Sequence, residues 1–249
     1  MKCSRTCGFR FALLQSIFLS MGLLLISCSD DAGDGSWKPW KKQSYSTKLS
    51  ATENPIYEGG KWINGHSIGL DWGDVQTAAG LAIGTNVSAA PPYDDSTAVL
   101  AGEWGSNQMA QATVYTVNQT RAIAEEVELR LRTTITPHRI TGCEFDYRVT
   151  SDGAQYLGIV RWEGKLNKCT YLTHDPCTIC GRGLHNGDTI KATAIGDTLA
   201  LYINDRKYVE LKDTKFLGGS PGIGFWNWGG KVADNKNYGF TDFTASDLP

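Results

Sequence analysis

Polar and apolar residues alternate along most of this chain, most clearly between Gly187 and Asp247. Thr189–Ala194 and Leu199–Asn204 place an apolar side chain at every second position, the period of a half-buried strand. Gly196-Asp197 separates the two and Asn204-Asp205 follows the second, so the spacing predicts short antiparallel strands with tight turns. Gly218, Gly219, Ser220 and Pro221 break the pattern before Ile223 and Phe225 resume it, and Tyr238–Phe243 reads as a last strand. If Ile223 and Phe225 point inward, Trp226 and Trp228 point outward.

The same design runs upstream. Gln111–Val117 reads as a strand. Glu126–Thr134 sets Val127, Leu129 and Leu131 on one face and Glu128, Arg130 and Arg132 on the other. Gly142–Val149 repeats it, with Cys143, Phe145, Tyr147 and Val149 opposite Glu144, Asp146 and Arg148. Tyr156–Trp162 is apolar on both faces until Arg161. Ile68, Leu70 and Trp72 alternate with Ser67, Gly69 and Asp71, and Leu81–Ile83 is short and apolar, while Asn86–Ser96 reads as a loop. Many short strands with Gly- and Asp-rich returns and no helical period predict an all-β protein, a two-sheet antiparallel sandwich.

The first residues do not fit that pattern. Lys2, Arg5 and Arg10 precede an apolar run from Phe11 to Ile26, which is too short and polar for a membrane span and reads as a signal peptide over residues 1–27. Its end, Leu25-Ile26-Ser27-Cys28, resembles a bacterial lipobox, which implies lipidation of Cys28, with ordinary cleavage nearby as the alternative. Ser29 after Cys28 implies the cell envelope, at the outer membrane, with the bilayer met only through the anchor. Residues 28–53 are polar and irregular and read as a tether, apart from Trp37 and Trp40. Residues 54–249 are enough for one sandwich with a substantial core. The leader holds three basic residues and no acid, so the remainder is more acidic than the whole-chain charge of −2. With no Lys/Arg cluster, a nucleic-acid partner is excluded.

Four cysteines lie in the body, Cys143, Cys169, Cys177 and Cys180. In an exported chain they read first as two disulfides, one tying the Cys143 strand to the Cys169–Cys180 loop. The sharper alternative is metal, since His174 and His185 crowd the same segment and Cys177-Thr-Ile-Cys180 has knuckle spacing, and free or mixed thiols are the third reading.

The Tyr202-Ile203-Asn204-Asp205 hairpin, the Ser220-Pro221-Gly222-Ile223-Gly224 strand entry and the Phe243-to-Leu248 ending resemble the last strands of the concanavalin A-like lectin/glucanase jelly roll. Glu58-Gly59-Gly60-Lys61-Trp62 resembles its entry, where a Trp closes one end of the core. The resemblance implies an outer sheet face that handles sugars. Paired strands would bring Glu128, Arg130 and Arg132 together with Glu144, Asp146 and Arg148, groups that can bond sugar hydroxyls or merely keep a strand pair soluble. Eight tryptophans sharpen this, and Trp162, Trp226 and Trp228 are the candidate stacking rings.

Binding of a polysaccharide or oligosaccharide is the first expectation. The enzyme alternative is a hydrolase or lyase on the same face. Laminarinase-like relatives carry Glu-x-Asp-x-x-Glu; here Glu144-Phe145-Asp146 supplies the start, but Val149 stands where the last Glu is needed. Glu144 and Asp146, about 7 Å apart on one strand face, are the hydrolytic candidates. A lyase would draw on Arg130, Arg148, Tyr147, His138 and His174, although no local motif fixes them together. A structural or protein-binding lipoprotein is the third class. The resemblance also implies one structural Ca²⁺, with Asp71, Asp74 and Asp242 as its candidate ligands.

Overall fold

The computed structural model describes residues 41–85, 95–117, 124–149, 157–173, 183–228 and 235–249. The leader, Cys28, Trp37, Trp40, His174, Cys177 and Cys180 lie outside the described residues, as does the side chain of Trp228. Among those described, no helix is long and apolar enough to cross a membrane.

Every paired strand runs antiparallel, in two sheets. The strands are β1 (Ser44–Thr47), β2 (Trp62–Asn64), β3 (Val75–Ala78), β4 (Leu81–Gly84) and β5 (Ser96–Leu100). Then come β6 (Gln108–Thr116), β7 (Ala124–Thr136), β8 (Arg139–Arg148), β9 (Leu157–Gly164) and β10 (Cys169–Tyr171). The last five are β11 (Thr189–Ile195), β12 (Thr198–Ile203), β13 (Arg206–Lys212), β14 (Ser220–Trp228) and β15 (Tyr238–Asp247). The front sheet has the order β10-β9-β8-β7-β14-β5-β2. The back sheet has the order β13-β12-β11-β6-β15-β4-β3, with β1 also on β15. The all-β sandwich expected from the alternation is the observed architecture.

The core lies between the sheets. Val127, Leu129 and Leu131 of β7, Phe145 and Tyr147 of β8, and Ile223 and Phe225 of β14 fill it from the front. The back sheet answers with small residues, Ala110 and Ala112 on β6 and Ala192 and Ala194 on β11, and with Phe240 and Phe243 of β15. Phe225 and Phe240 meet across the gap with ring centroids 5.1 Å apart. Large against small is how facing layers reach interior density, and each buried Phe contributes about 2–3 kcal/mol. Trp62 sits in this core against Phe243, as the entry motif implied.

Three expectations change. Ser44–Thr47, read as tether, is strand β1 on the edge of β15. The stretch from Ile68 to Trp72 is not a strand: His66–Ile68 is one 3-10 turn, and Gly69 takes a φ of 87° that ends it. Its Leu70 and Trp72 instead fold onto the outer face of the front sheet. Finally, Cys143 points into the core from β8 while Cys169 packs against the outer-face cluster, with β9 between them. Thiols on opposite faces of one sheet cannot join, so Cys143 and Cys169 do not pair with each other, and neither is bridged among the described residues.

Candidate functional site

Register fixes the outer face of the front sheet. One row across β14, β7 and β8 is Trp226, Glu126, Arg148. The next is Gly224, Glu128, Asp146, ending on Gly158 of β9, and the third is Gly222, Arg130, Glu144, Val160. A fourth sets Gly142 beside Trp162. The glycines at both ends of the second row have a steric purpose. A Cβ at Gly224 would collide with the Glu128 carboxylate, and one at Gly158 would stand 2.8 Å from Asp146 Oδ2. Two acids therefore lie flat between two residues without side chains.

The face is not a solvated one. Glu128 and Arg130 are 0% exposed, and Glu126, Glu144 and Asp146 are at most 6% exposed. Its lower end is covered by an apolar cluster of Leu70, Trp72, Val99, Ile135, Ile140, Val160 and Trp162. Trp72 stands edge-on to Trp162, centroids 4.6 Å apart, and its ring lies 5.0 Å from the Arg130 guanidinium. Trp162 donates its indole N–H to Glu144 Oε2 at 2.6 Å. Arg130 gathers three acids: it donates to Glu128, to Glu144 Oε2 at 2.5 Å, and lies 3.4 Å from Asp95 Oδ2. Burial works against its charge, but those three neighbours more than offset it and raise its affinity for the proton.

The acids are shifted the other way. Burial first, then repulsion from Asp95 and Glu144, raises the Glu128 carboxyl well above its usual range despite Arg130. Asp146 is raised by burial and by Glu144 and Glu126. Glu126 is raised by burial, Glu144 and Asp95, against the pull of Arg148 and Arg130. Asp95, Glu128 and Glu144 place one oxygen each within 4.8 Å of one another, as do Glu126, Glu144 and Asp146, so either group could hold a metal ion. In chemical terms the face can donate, accept and store protons in a water-poor setting, which is where perturbed carboxyls mark functional sites.

The structure thus joins Glu128, Arg130, Glu144, Asp146, Arg148, Trp162 and Trp226 on one face. Trp162 is not an exposed stacking ring but a buried one, at 3%. Trp226 is half-buried, on the face opposite Ile223 and Phe225. Arg132 leaves the set: a bulge between Leu131 and Thr134 turns it away, and it donates to the carbonyls of Ser106 at 2.7 Å and Gly196 at 2.9 Å. Tyr147 is core, its hydroxyl donating to the Lys191 carbonyl at 2.8 Å. His138 sits in the β7–β8 turn against Asp71, at the far end of the hairpin from Arg148, so the two cannot act on one sugar.

The three expected calcium ligands do not meet either. Asp71 faces His138, Asp74 accepts from Ser67, and Asp242 binds Lys48 and the Thr113 amide. Sequence reading missed Asp95 and the role of Trp72. It also left Glu126 out, although its parity with Glu128 already put it on that face.

No model of a protein family matches the chain, and no curated protein does. Solved structures do. The β-porphyranase BpGH16B from the human gut bacterium Bacteroides plebeius is 10% identical with a TM-score of 0.51, covering 85% of this chain and 94% of its own. β-Agarase A in complex with oligoagarose is 10% identical with a TM-score of 0.50, covering 83% and 92%. Such identities speak for the fold alone. The described chain has the jelly-roll sandwich of the concanavalin A-like lectins and glucanases.

Proposed function

We propose that this protein recognises a polysaccharide at the upper end of the front sheet's outer face, where Trp226, Glu126 and Arg148 form one row. The observation that supports it is the mixture in that row: a half-buried indole ring beside a carboxylate and a half-buried guanidinium. A ring covers the apolar face of a sugar while charged groups bond its hydroxyls. The fold neighbours act on or bind polysaccharides by name, one of them holding oligoagarose. In this reading residues 1–27 direct export, Cys28 carries the lipid, and the sandwich meets its glycan in the cell envelope.

A second reading, glycoside hydrolysis, is favoured by one arrangement. Glu126 supplies across the β7–β8 ladder the third carboxylate that Val149 does not supply along β8, within 4.8 Å of Glu144 and Asp146. Two carboxyls about 5 Å apart with unequal proton affinity are what a retaining hydrolase needs.

One experiment separates the readings: the purified protein is incubated with a panel of polysaccharides, agarose included, and scored for retention and for new reducing ends. Retention without products, lost in Trp226→Ala, is the expected result. Products lost in Glu144→Gln would replace binding by hydrolysis, and neither retention nor products would remove the glycan reading.

A further inference from the structure

The two acid groups on the outer face differ in what already stands among them. In Asp95, Glu128 and Glu144 the Arg130 guanidinium touches every member, so that space has its cation. Among the described residues, Arg130 bonds only Glu144 of the Glu126, Glu144 and Asp146 group, and Arg148 faces Glu126 from the end of its row. Across the two groups five carboxylates, when ionised, face two guanidinium groups, Arg130 and Arg148, and leave three negative charges in a buried site. Uncompensated burial of such charge costs several kcal/mol per ion.

A second observation comes from the oxygens themselves. Asp146 Oδ1 has no hydrogen-bond partner among the described residues, although Asp146 is 4% exposed. Glu128 lies directly across the ladder from Asp146, is fully buried, and its Oε1 is equally without a partner. Buried polar atoms without partners are rare in folded proteins and mark a missing ligand or water. The other oxygen of each acid is accounted for: Glu128 Oε2 bonds Arg130, and Asp146 Oδ2 lies over Gly158.

We propose that Glu126, Glu144 and Asp146 bind one hard divalent cation, Ca²⁺ before Mg²⁺. The size supports the choice. Calcium holds oxygens at about 2.3–2.6 Å, so opposite ligands stand up to about 5 Å apart, and three oxygens within 4.8 Å can share one ion without backbone movement. Magnesium demands about 2.1 Å and octahedral geometry, which needs these oxygens drawn closer. A softer metal would want nitrogen or sulfur, and neither group contains histidine or cysteine. Water supplies the remaining oxygen donors for a coordination number of six to eight. A divalent ion would offset most of the charge that remains when these acids ionise, with Glu144 shared between it and Arg130.

The test titrates EDTA-treated protein with CaCl₂ and, separately, MgCl₂ by calorimetry and thermal unfolding. One Ca²⁺ per chain, with a rise in Tm and weaker Mg²⁺ binding, is expected. Asp146→Asn should weaken it at least about tenfold, and Asp242→Asn should leave it unchanged. Tb³⁺ gives a readout that needs no variant: excitation of tryptophan should sensitise its emission, and Ca²⁺ should quench it. If Asp146→Asn does not fold, Glu126→Gln at the end of the cluster takes its place. No heat, no Tm shift and no sensitised Tb³⁺ would overturn the site, as would full binding in a folded Asp146→Asn or Glu126→Gln.

Discussion

The back sheet and the front sheet carry the same alternation of apolar and polar residues and put it to opposite use. On β11, Ile190, Ala192 and Ala194 are buried while Thr189, Lys191 and Thr193 on the other face keep partial contact with water. Back-sheet charges pair at the surface, Lys191 with Asp205 at 2.6 Å and Lys212 with Asp197 at 2.9 Å. On β7 and β8 the apolar residues are equally buried, but so are Glu126, Glu128, Arg130, Glu144 and Asp146 behind them. A sheet face that needs only solubility stays in water. Closing four acids and an arginine away from it is destabilising, and such a cost is accepted where the site has work to do.

The largest test of that contrast removes the front-sheet cation. Arg130→Met should destabilise the fold by about 3–5 kcal/mol, because three buried acids lose their shared partner. Lys191→Ala should cost less than about 1 kcal/mol, its partner Asp205 being exposed. Urea denaturation of the two variants reads the difference, and equal losses would erase the distinction between the faces.

A smaller effect is expected from adding one methyl group. Gly224→Ala places a Cβ against the Glu128 carboxylate and the Arg130 guanidinium, which should cost about 1–3 kcal/mol. Thermal unfolding within error of the wild type would mean that the carboxylates have slack to move.

The smallest is the response to pH, and it sharpens the comparison by its sign. Glu126, Glu128 and Asp146 have raised carboxyls in the fold. Their stabilising share is full below the ordinary carboxylate pKa of about 4 and is lost as pH rises through the raised values. Asp197 is lowered by its hydrogen bond to Lys212, so its share is present above the ordinary pKa and lost as pH falls. In EDTA, Tm should decline from mildly acid toward alkaline pH, and Asp146→Asn should flatten the decline while Asp197→Asn does not. A Tm that climbs with pH would show that the front-sheet acids ionise freely.

Much of this was legible in the chain. Alternation placed the faces of β7, β8, β11 and β12, and Gly196-Asp197 placed the turn between the last two. Parity placed Glu128 and Arg130 on a face shared with Glu144 and Asp146, and the strand register decides which of them meet. What could not be read is what covers a face, because cover is a long-range property. Trp72 seals Trp162 from ninety positions away in sequence, and its own alternation imitates a strand until Gly69 ends the preceding turn. Arg132 keeps the parity of its neighbours, yet a bulge moves it to a different environment, and bulges have weak local signals. Ser44–Thr47 is polar enough to pass for a linker; only its partner β15 makes it a strand.

The pairing of β1 with β15 has a further consequence. Ser44 lies opposite Ser246, and the Gln43 amide donates to Asp247 Oδ2 at 2.8 Å, so the first and last described strands of the sandwich run side by side. Such a chain is suited to circular permutation: a short linker from Pro249 to Gln43, with new ends at Gly196-Asp197, would preserve every strand neighbour. The order in which the strands are synthesised would change, while β14, β7 and β8 would still lie side by side.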